Sequence, residues 1–381
     1  MFVVHQAIKL EVLERFRLVA GLGGIDRVIS TVGIIDSEEI PDMLSSVRVG
    51  EFLITNFLII RNQPEMIVEY IRTMIDCQAA CLAIKAVYYD DIPKEAIALA
   101  NKHHFPVFVF DETYIDTLVI EINRAINYQD HKAHQRILVD QLLEAHLNDF
   151  RVRELAKELN RSFKNNYIVY FIKEKNLVDN EHKHLFSINH LAQLIGEHGF
   201  SIKYKEGYLV VATYEQGEKE SLDELTDALL RSAGVDTHQF ITGRSDVKKD
   251  LGRLGKAIYE SFYAIEYARL SKIDSAQFNE IGVYQLLMPL SNDSWVHSFY
   301  KDNINKLIDY DQIHGTDLLE TAIKFIENDG DIQQTAHDMF QHTNTVRYRL
   351  KKIANIMGED QLKGMAYEIL AMVIRLYLVN K

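Results

Sequence analysis

The sequence predicts a multidomain chain: a parallel α/β domain first, an α+β domain in the middle, and an all-α helix-turn-helix domain at the end. Three observations carry this. Between residues 28 and 127, short apolar runs alternate with amphipathic runs at helical spacing, the pattern of βαβ units. Around residues 200–214, FSIKYKEGYLVVATY reads as two alternating strands joined at a glycine turn, the pattern of a hairpin. Between residues 331 and 353, DIQQTAHDMFQHTNTVRYRLKKI reads as two short helices and a tight turn.

The elements follow in order. Residues 1–20 predict one amphipathic helix, with Ile8, Val12, Phe16 and Val19 on a stripe. The glycines of AGLGGIDR end it. Val28–Ile35 and Glu51–Ile60 are β-rich. Pro64 opens the helix PEMIVEYIRTMIDC at a position that needs no backbone N–H. CLAIKAVYY is a strand, PKEAIALANKHH a helix, PVFVFDE a strand and YIDTLVIEINRAI a helix. The near-continuous apolar strands fit a sheet buried on both faces.

Residues 127–159 contain no Pro or Gly and predict one long helix, either a connector that forms a dimer or an intradomain helix pair. NNYIVYFI then starts a third region with a strand. Helices are predicted at 189–198 and 222–232, a short strand at QFITGRS, and a helix over 251–270. The domain boundaries are placed at 1–127, 128–162, 163–272 and 273–381.

In the last region, Ile332, Ala336, Met339 and Phe340 share the apolar face of a first helix over 332–340. Thr343 is placed to cap a second helix. Val346, Leu350 and Ile353 recur at i, i+4 and i+7 and point to a core. Asn344, Tyr348, Lys351 and Lys352 lie opposite, flanked by Thr345, Arg347 and Arg349. Residues 341–356 hold four Lys or Arg and no Asp or Glu, in a chain of formal net charge -13. A basic face on an acidic chain points to a polyanion. A helix, a turn and a helix with polar N-terminal residues fit a reader of the DNA major groove. Thr343, Asn344, Thr345 and Tyr348 would approach bases. Arg347, Arg349, Lys351 and Lys352 would mostly hold phosphates. The competing reading is a solvated basic helix.

Other chemistry is weakly represented. The chain has two Cys in 381 residues, which implies a reducing compartment. Cys77 and Cys81 are two ligands short of a zinc site and read better as buried thiols. His182 and His184, in DNEHKH, read as a solvated loop before a metal site. AGLGGIDR lacks the dinucleotide fingerprint, and no Gly-x-Ser-x-Gly, phosphate-binding Gly-Lys-Ser/Thr or His-Glu-x-x-His occurs. No signal peptide is evident at the start, and no apolar run approaches the ~20 residues of a membrane span. The expectation is a cytoplasmic chain with no cofactor, no metal, no enzyme activity and no membrane partner.

The run LLETAIKFIENDGDIQQTAHDMFQHTNTVRYRLKKIANIMGED resembles the C-terminal DNA-binding domain of the PucR/CdaR family of bacterial transcriptional regulators. Its His-x-Asn-Thr-x-x-Tyr-Arg-Leu signature falls on His342, Asn344, Thr345, Tyr348, Arg349 and Leu350. AGLGGIDR, IIDS, PDML, GEFLITN and HHFPVFVF resemble the N-terminal domain of that family, more weakly. There Ile54, Thr55 and Asn56 stand where the family often has Thr-Thr-Gly. FITGRSD and YESFYAIEYARL resemble its GGDEF-like middle domain. Lys205, Glu206, Gly207 and Tyr208 offer one carboxylate where two-metal cyclase chemistry needs more.

The resemblance implies a regulator that binds double-stranded DNA and senses a small-molecule effector through its N-terminal domain. The middle domain would be structural or regulatory. One module of this size seldom reaches specific affinity alone, so a homodimer or higher even oligomer is expected. The effector site is expected at the C-terminal ends of the parallel strands. Asp36, Thr55, Asn56 and Asp111 lie there; the competing reading makes them ordinary turn and cap residues. The alternative functions are a nucleotide or second-messenger binder built on the GGDEF-like domain, and a scaffold whose basic helix meets an acidic protein.

Overall fold

A computed structural model describes residues 1–36, 38–175, 199–215 and 239–381. It divides into two compact units, Met1–Ile137 and Leu138–Lys381. The first begins with β1 (Phe2–Val3), α1 (Val4–Ala7), β2 (Arg17–Ala20), β3 (Val28–Ile29) and β4 (Thr31–Ile35). It continues with α2 (Ile40–Ser46), β5 (Glu51–Thr55), α3 (Ile67–Asp76), β6 (Cys81–Lys85), α4 (Lys94–Lys102) and β7 (Val107–Phe110). The helix α5 (Ile115–Leu142) follows.

Strands β4, β5, β6 and β7 are parallel, and β2 closes the edge antiparallel to β7 in the order β2-β7-β6-β5-β4. Their side chains alternate between two cores, as a period of two requires. Leu53, Leu82, Ile84, Val107 and Val109 pack on one face with α3 and α4. Phe52, Ile54, Ala83, Phe108 and Phe110 pack on the other with Leu118 and Ile122 of α5. Burial on both faces is why these runs read as continuously apolar.

The first twenty residues do not form the predicted helix. Phe2 and Val3 pair with Ile29 and Val28, and Arg17 and Leu18 pair with Val109 and Phe108. The buried positions are Phe2, Val4, Ala7, Leu13 and Ala20, not the Ile8–Val19 stripe. Two sheet edges claim the backbone, and tertiary pairing overrides helical propensity. The run 28–35 is also split. At Ser30 the N–H donates to the Gly50 carbonyl and the hydroxyl to the Val49 carbonyl. Cys77 caps α3 and Cys81 lies buried in β6, so the two thiols share no helix face.

The long helix predicted over 127–159 is broken. It ends at Leu142, and α6 (Asp149–Leu159) restarts with the Asn148 side chain accepting from the Arg151 N–H at 2.8 Å. His146 between them is left-handed, φ 73°. Leu142 and Val152 both enter the core of the second unit.

That unit continues with β8 (Asn166–Glu174), β9 (Phe200–Tyr204), β10 (Gly207–Tyr214), β11 (Phe240–Arg244), α7 (Leu254–Ser271) and β12 (Ser275–Gln277). The sheet order is β12-β11-β8-β10-β9. The hairpin is as read, with Tyr204 paired to Gly207 across Lys205 and Glu206. Strand β12, parallel to β11, was not expected. Helix α7 lies directly on the sheet at Gly243, where a Cβ would sit 2.2 Å from the Ser261 carbonyl oxygen. The helices expected at 189–198 and 222–232, and the His182–His184 loop, lie outside the described residues.

The rest is helical: α8 (Tyr284–Leu290), α9 (Ser294–His314), α10 (Leu318–Glu327), α11 (Ile332–Asp338), α12 (Thr343–Ile356) and α13 (Met365–Val379). One core joins Leu307, Phe325, Val346, Leu350, Ile353 and Leu370. Among the described residues, no helix is long and apolar enough to cross a membrane.

Candidate nucleic-acid interface

Helix α11 starts where Asp331 accepts from the N–H groups of Gln333 and Gln334 at 2.7 and 3.0 Å. These bonds satisfy two of the donors that every helix start leaves open. Asn328 and His337 hydrogen-bond to Asp338 and hold its carboxyl below the usual carboxylate range. The helix ends at Asp338, two residues before Phe340. Phe340 is left-handed at φ 53°, and the Gln341 N–H reaches back to the Ala336 carbonyl at 2.9 Å. That turn swings Phe340 out of the predicted apolar face, to 94% exposure. A left-handed non-glycine costs about 1–2 kcal/mol, which the return hydrogen bonds of the turn offset.

The cap of α12 is His342 and not the predicted Thr343. His342 is extended, and its Nδ1 accepts from the Asn344 N–H at 3.2 Å; Thr343 is already helical. A ring nitrogen supplies the acceptor that a hydroxyl was expected to give. From there the 3.6-residue period holds. Val346, Leu350, Ile353 and Ala354 are buried, and α12 packs on α10 and α11.

The opposite face carries Asn344, Arg347, Tyr348 and Lys351, all exposed, with Tyr348 at 71%. Thr343 and Thr345 are half-buried at the helix start. Arg347 approaches Asn344 Oδ1 only at 3.5 Å, at the long limit of a hydrogen bond. Arg349 and Lys352 lie differently. Arg349 turns back onto α10, donating to Thr321 Oγ1 at 3.1 Å and to Asp317 Oδ2 at 3.3 Å, with a side chain only 20% exposed. Lys352 places its ammonium 5.0 Å from the centre of the Tyr310 ring. The fold therefore engages two of the four cations and leaves Arg347 and Lys351 facing solvent. Sequence reasoning missed this division because Asp317, Thr321 and Tyr310 lie on other helices.

Of the predicted effector residues, Asp36, Thr55 and Asn56 sit together at the C-terminal ends of neighbouring strands β4 and β5. Asp111 follows β7, two strands away. Thr55 is buried; its hydroxyl donates to the Ile35 carbonyl at 2.7 Å and accepts from the Phe57 N–H at 3.0 Å. Asn56 Oδ1 accepts from the Leu58 N–H, and Asp111 Oδ1 from the Glu112 N–H. The Asp36 N–H donates to Glu38. A cavity of about 450 Å³ lies at the opposite, N-terminal ends of the strands. Its walls include Arg27, Ser30, Gly50 and Ala80, which precede the strands.

In the middle region Glu206 is exposed in the hairpin turn, with Lys173 at 3.9 Å. Glu260 is buried and paired with Lys248 at 2.7 Å. Among the described residues, no three His, Cys, Asp or Glu side chains are grouped to hold a metal ion.

Residues 6–129 match the purine catabolism regulatory protein-like family, and residues 318–371 match the PucR C-terminal helix-turn-helix domain. The DNA-binding transcriptional activator AdeR of Bacillus subtilis (strain 168) is 35% identical over 88 residues, 23% of this chain and 21% of AdeR. The purine catabolism regulatory protein of the same organism is 34% identical over 110 residues, 29% of this chain and 20% of that protein. The matched segments thus span about a fifth of these relatives. A regulator of polyketide synthase expression from Bifidobacterium adolescentis is 20% identical in sequence. The match covers 64% of this chain and 91% of that one, at a TM-score of 0.32. The chain carries an N-terminal segment of the PucR family and a PucR-type helix-turn-helix domain.

Proposed function

We propose that the chain is a DNA-binding transcriptional regulator of the PucR/CdaR type, acting in the cytoplasm, with α12 as its reading helix. The observation that carries this is one helix with one face in a core and the other exposing Asn344, Arg347, Tyr348 and Lys351, inside the segment that matches a PucR helix-turn-helix domain. The side-chain amide of Asn344 suits a bidentate contact to adenine. Thr343, Thr345 and Tyr348 flank it. Arg347 and Lys351 hold phosphates. In this reading Arg349 and Lys352 chiefly position the helix, through Asp317 and Tyr310.

Two copies would add their contacts on one duplex face if their helices sit ~34 Å apart, one turn of DNA, or a multiple of it. A homodimer or higher even oligomer follows. The middle domain is then a degenerate GGDEF-like transmitter without turnover, since the hairpin segment Lys205-Glu206-Gly207-Tyr208 supplies a single carboxylate, beside a lysine. The N-terminal unit senses a small-molecule effector, with Asp36, Asn56 and Asp111 as polar groups at the strand ends and Thr55 holding the turn. The 450 Å³ cavity at the N-terminal ends of the strands gives a second place for that effector.

The test is fluorescence anisotropy of the full chain on a duplex from upstream of its own coding sequence, across a salt series. Saturable binding that weakens linearly in log–log with salt supports the reading. No binding, or binding indifferent to salt, overturns it.

A further inference from the structure

The loop after the reading helix, residues 358–364, is bracketed by two left-handed glycines, Gly358 at φ 84° and Gly364 at φ 53°. Leu362 ties it to the helical core. Between this loop and α12 runs a groove of about 410 Å³. Leu350 and Leu362 contribute its apolar wall. Arg347 and Lys351 line it from the helix, and Lys363 and Asp360 from the loop. Lys363 and Asp360 are exposed, and neither has an ion-pair partner among the described residues. Three uncommitted cations and one carboxylate thus surround one groove beside the exposed face of α12.

We propose that this groove is a binding site for the DNA backbone, with Lys363 as a third phosphate contact beside Arg347 and Lys351. The inference rests on α12 being the reading helix and extends the interface to a loop beyond α11 and α12. Three cations around one concave surface suit a phosphodiester, which needs charge and no particular base. The apolar wall fixes the loop, so Lys363 is presented from an anchored segment. Asp360 on the same groove repels the phosphate and limits affinity for any sequence.

The experiment uses the full chain and two duplexes of equal length, one from upstream of its coding sequence and one of mixed sequence, between 50 and 200 mM salt. Lys363→Gln should make the log–log slope shallower by about 0.9 and weaken binding roughly eightfold at 0.1 M salt, equally on both duplexes. Lys363→Arg should restore the wild-type slope. Asp360→Asn should tighten binding to both duplexes. Unchanged circular dichroism shows that the variants are folded. If wild type binds with a clear slope and Lys363→Gln keeps that slope, the groove is not a phosphate site and the reading of α12 stands. A loss confined to one duplex also overturns the inference, because it marks Lys363 as a base reader. If wild type binds neither duplex, the reading of α12 fails and the inference fails with it.

Discussion

Arg349 separates holding the reading helix from holding DNA. Arg349→Ala removes the ion pair to Asp317 and the bond to Thr321. Asp317 is 61% exposed, so the ion pair contributes about 0–1 kcal/mol. The bond to Thr321 adds about 1 kcal/mol. Thr321 is not orphaned, because its hydroxyl still donates to the Asp317 carbonyl at 2.7 Å. The sum is about 1–2 kcal/mol, or roughly 5–30-fold in an opening equilibrium. Hydrogen exchange of the full chain should show α12 amides exchanging faster by that factor. Affinity for DNA should fall while its salt slope stays the same. A slope shallower by about one contact, with α12 protection intact, would refute this reasoning and make Arg349 a phosphate ligand.

Arg347→Ala should do the reverse, making the salt slope shallower by about 0.9 and leaving α12 protection alone. Asn344→Ala should blur sequence preference by about 1–3 kcal/mol at one base pair, read from competition with substituted duplexes. Gly255→Ala puts a Cβ 2.1 Å from the Leu142 carbonyl oxygen; thermal unfolding should show a loss of about 1–3 kcal/mol, and an unchanged midpoint would mean that the α5 end yields freely. Asp250 is held below the usual carboxylate range, first by the Arg153 side chain and then by the Gly252 N–H. A lowered folded value means the charged carboxylate favours the fold. Its contribution is complete above the ordinary aspartate range and is lost as pH falls through the lowered value. Acid titration of Asp250→Asn should therefore show a smaller loss of stability there than wild type, and parallel curves would remove Asp250 as a contributor.

Strands β5, β6 and β7 were legible because burial on both faces leaves no polar alternation to misread. The start of the chain was not. Its apolar residues fit a helical stripe by spacing, while Phe2 and Val3 find partners at Ile29 and Val28, more than twenty residues on. The break after Leu142 had a signal in Asn148–Asp149, a cap pair, but no glycine or proline to announce it. Helix α12 was legible as an amphipathic element because Val346, Leu350 and Ile353 repeat locally. Which of its cations stay free was not, since that depends on Tyr310, Asp317 and Thr321. Phe340 was misplaced because a left-handed turn, which periodicity does not encode, ends α11 early.

The cap of α12 has a further consequence. A serine or threonine hydroxyl that caps a helix accepts on the same oxygen that carries its freely rotating proton. His342 caps with Nδ1, and in the neutral ring that fixes the tautomer, placing the hydrogen on Nε2. The same exposed imidazole thus accepts from the helix start through one nitrogen and offers a donor through the other. Replacing it with Asn would keep an acceptor for the Asn344 N–H, but not an imidazole N–H held in a fixed orientation by the cap itself. In this position histidine is a two-sided connector, closing the helix on one side and presenting a proton outward on the other.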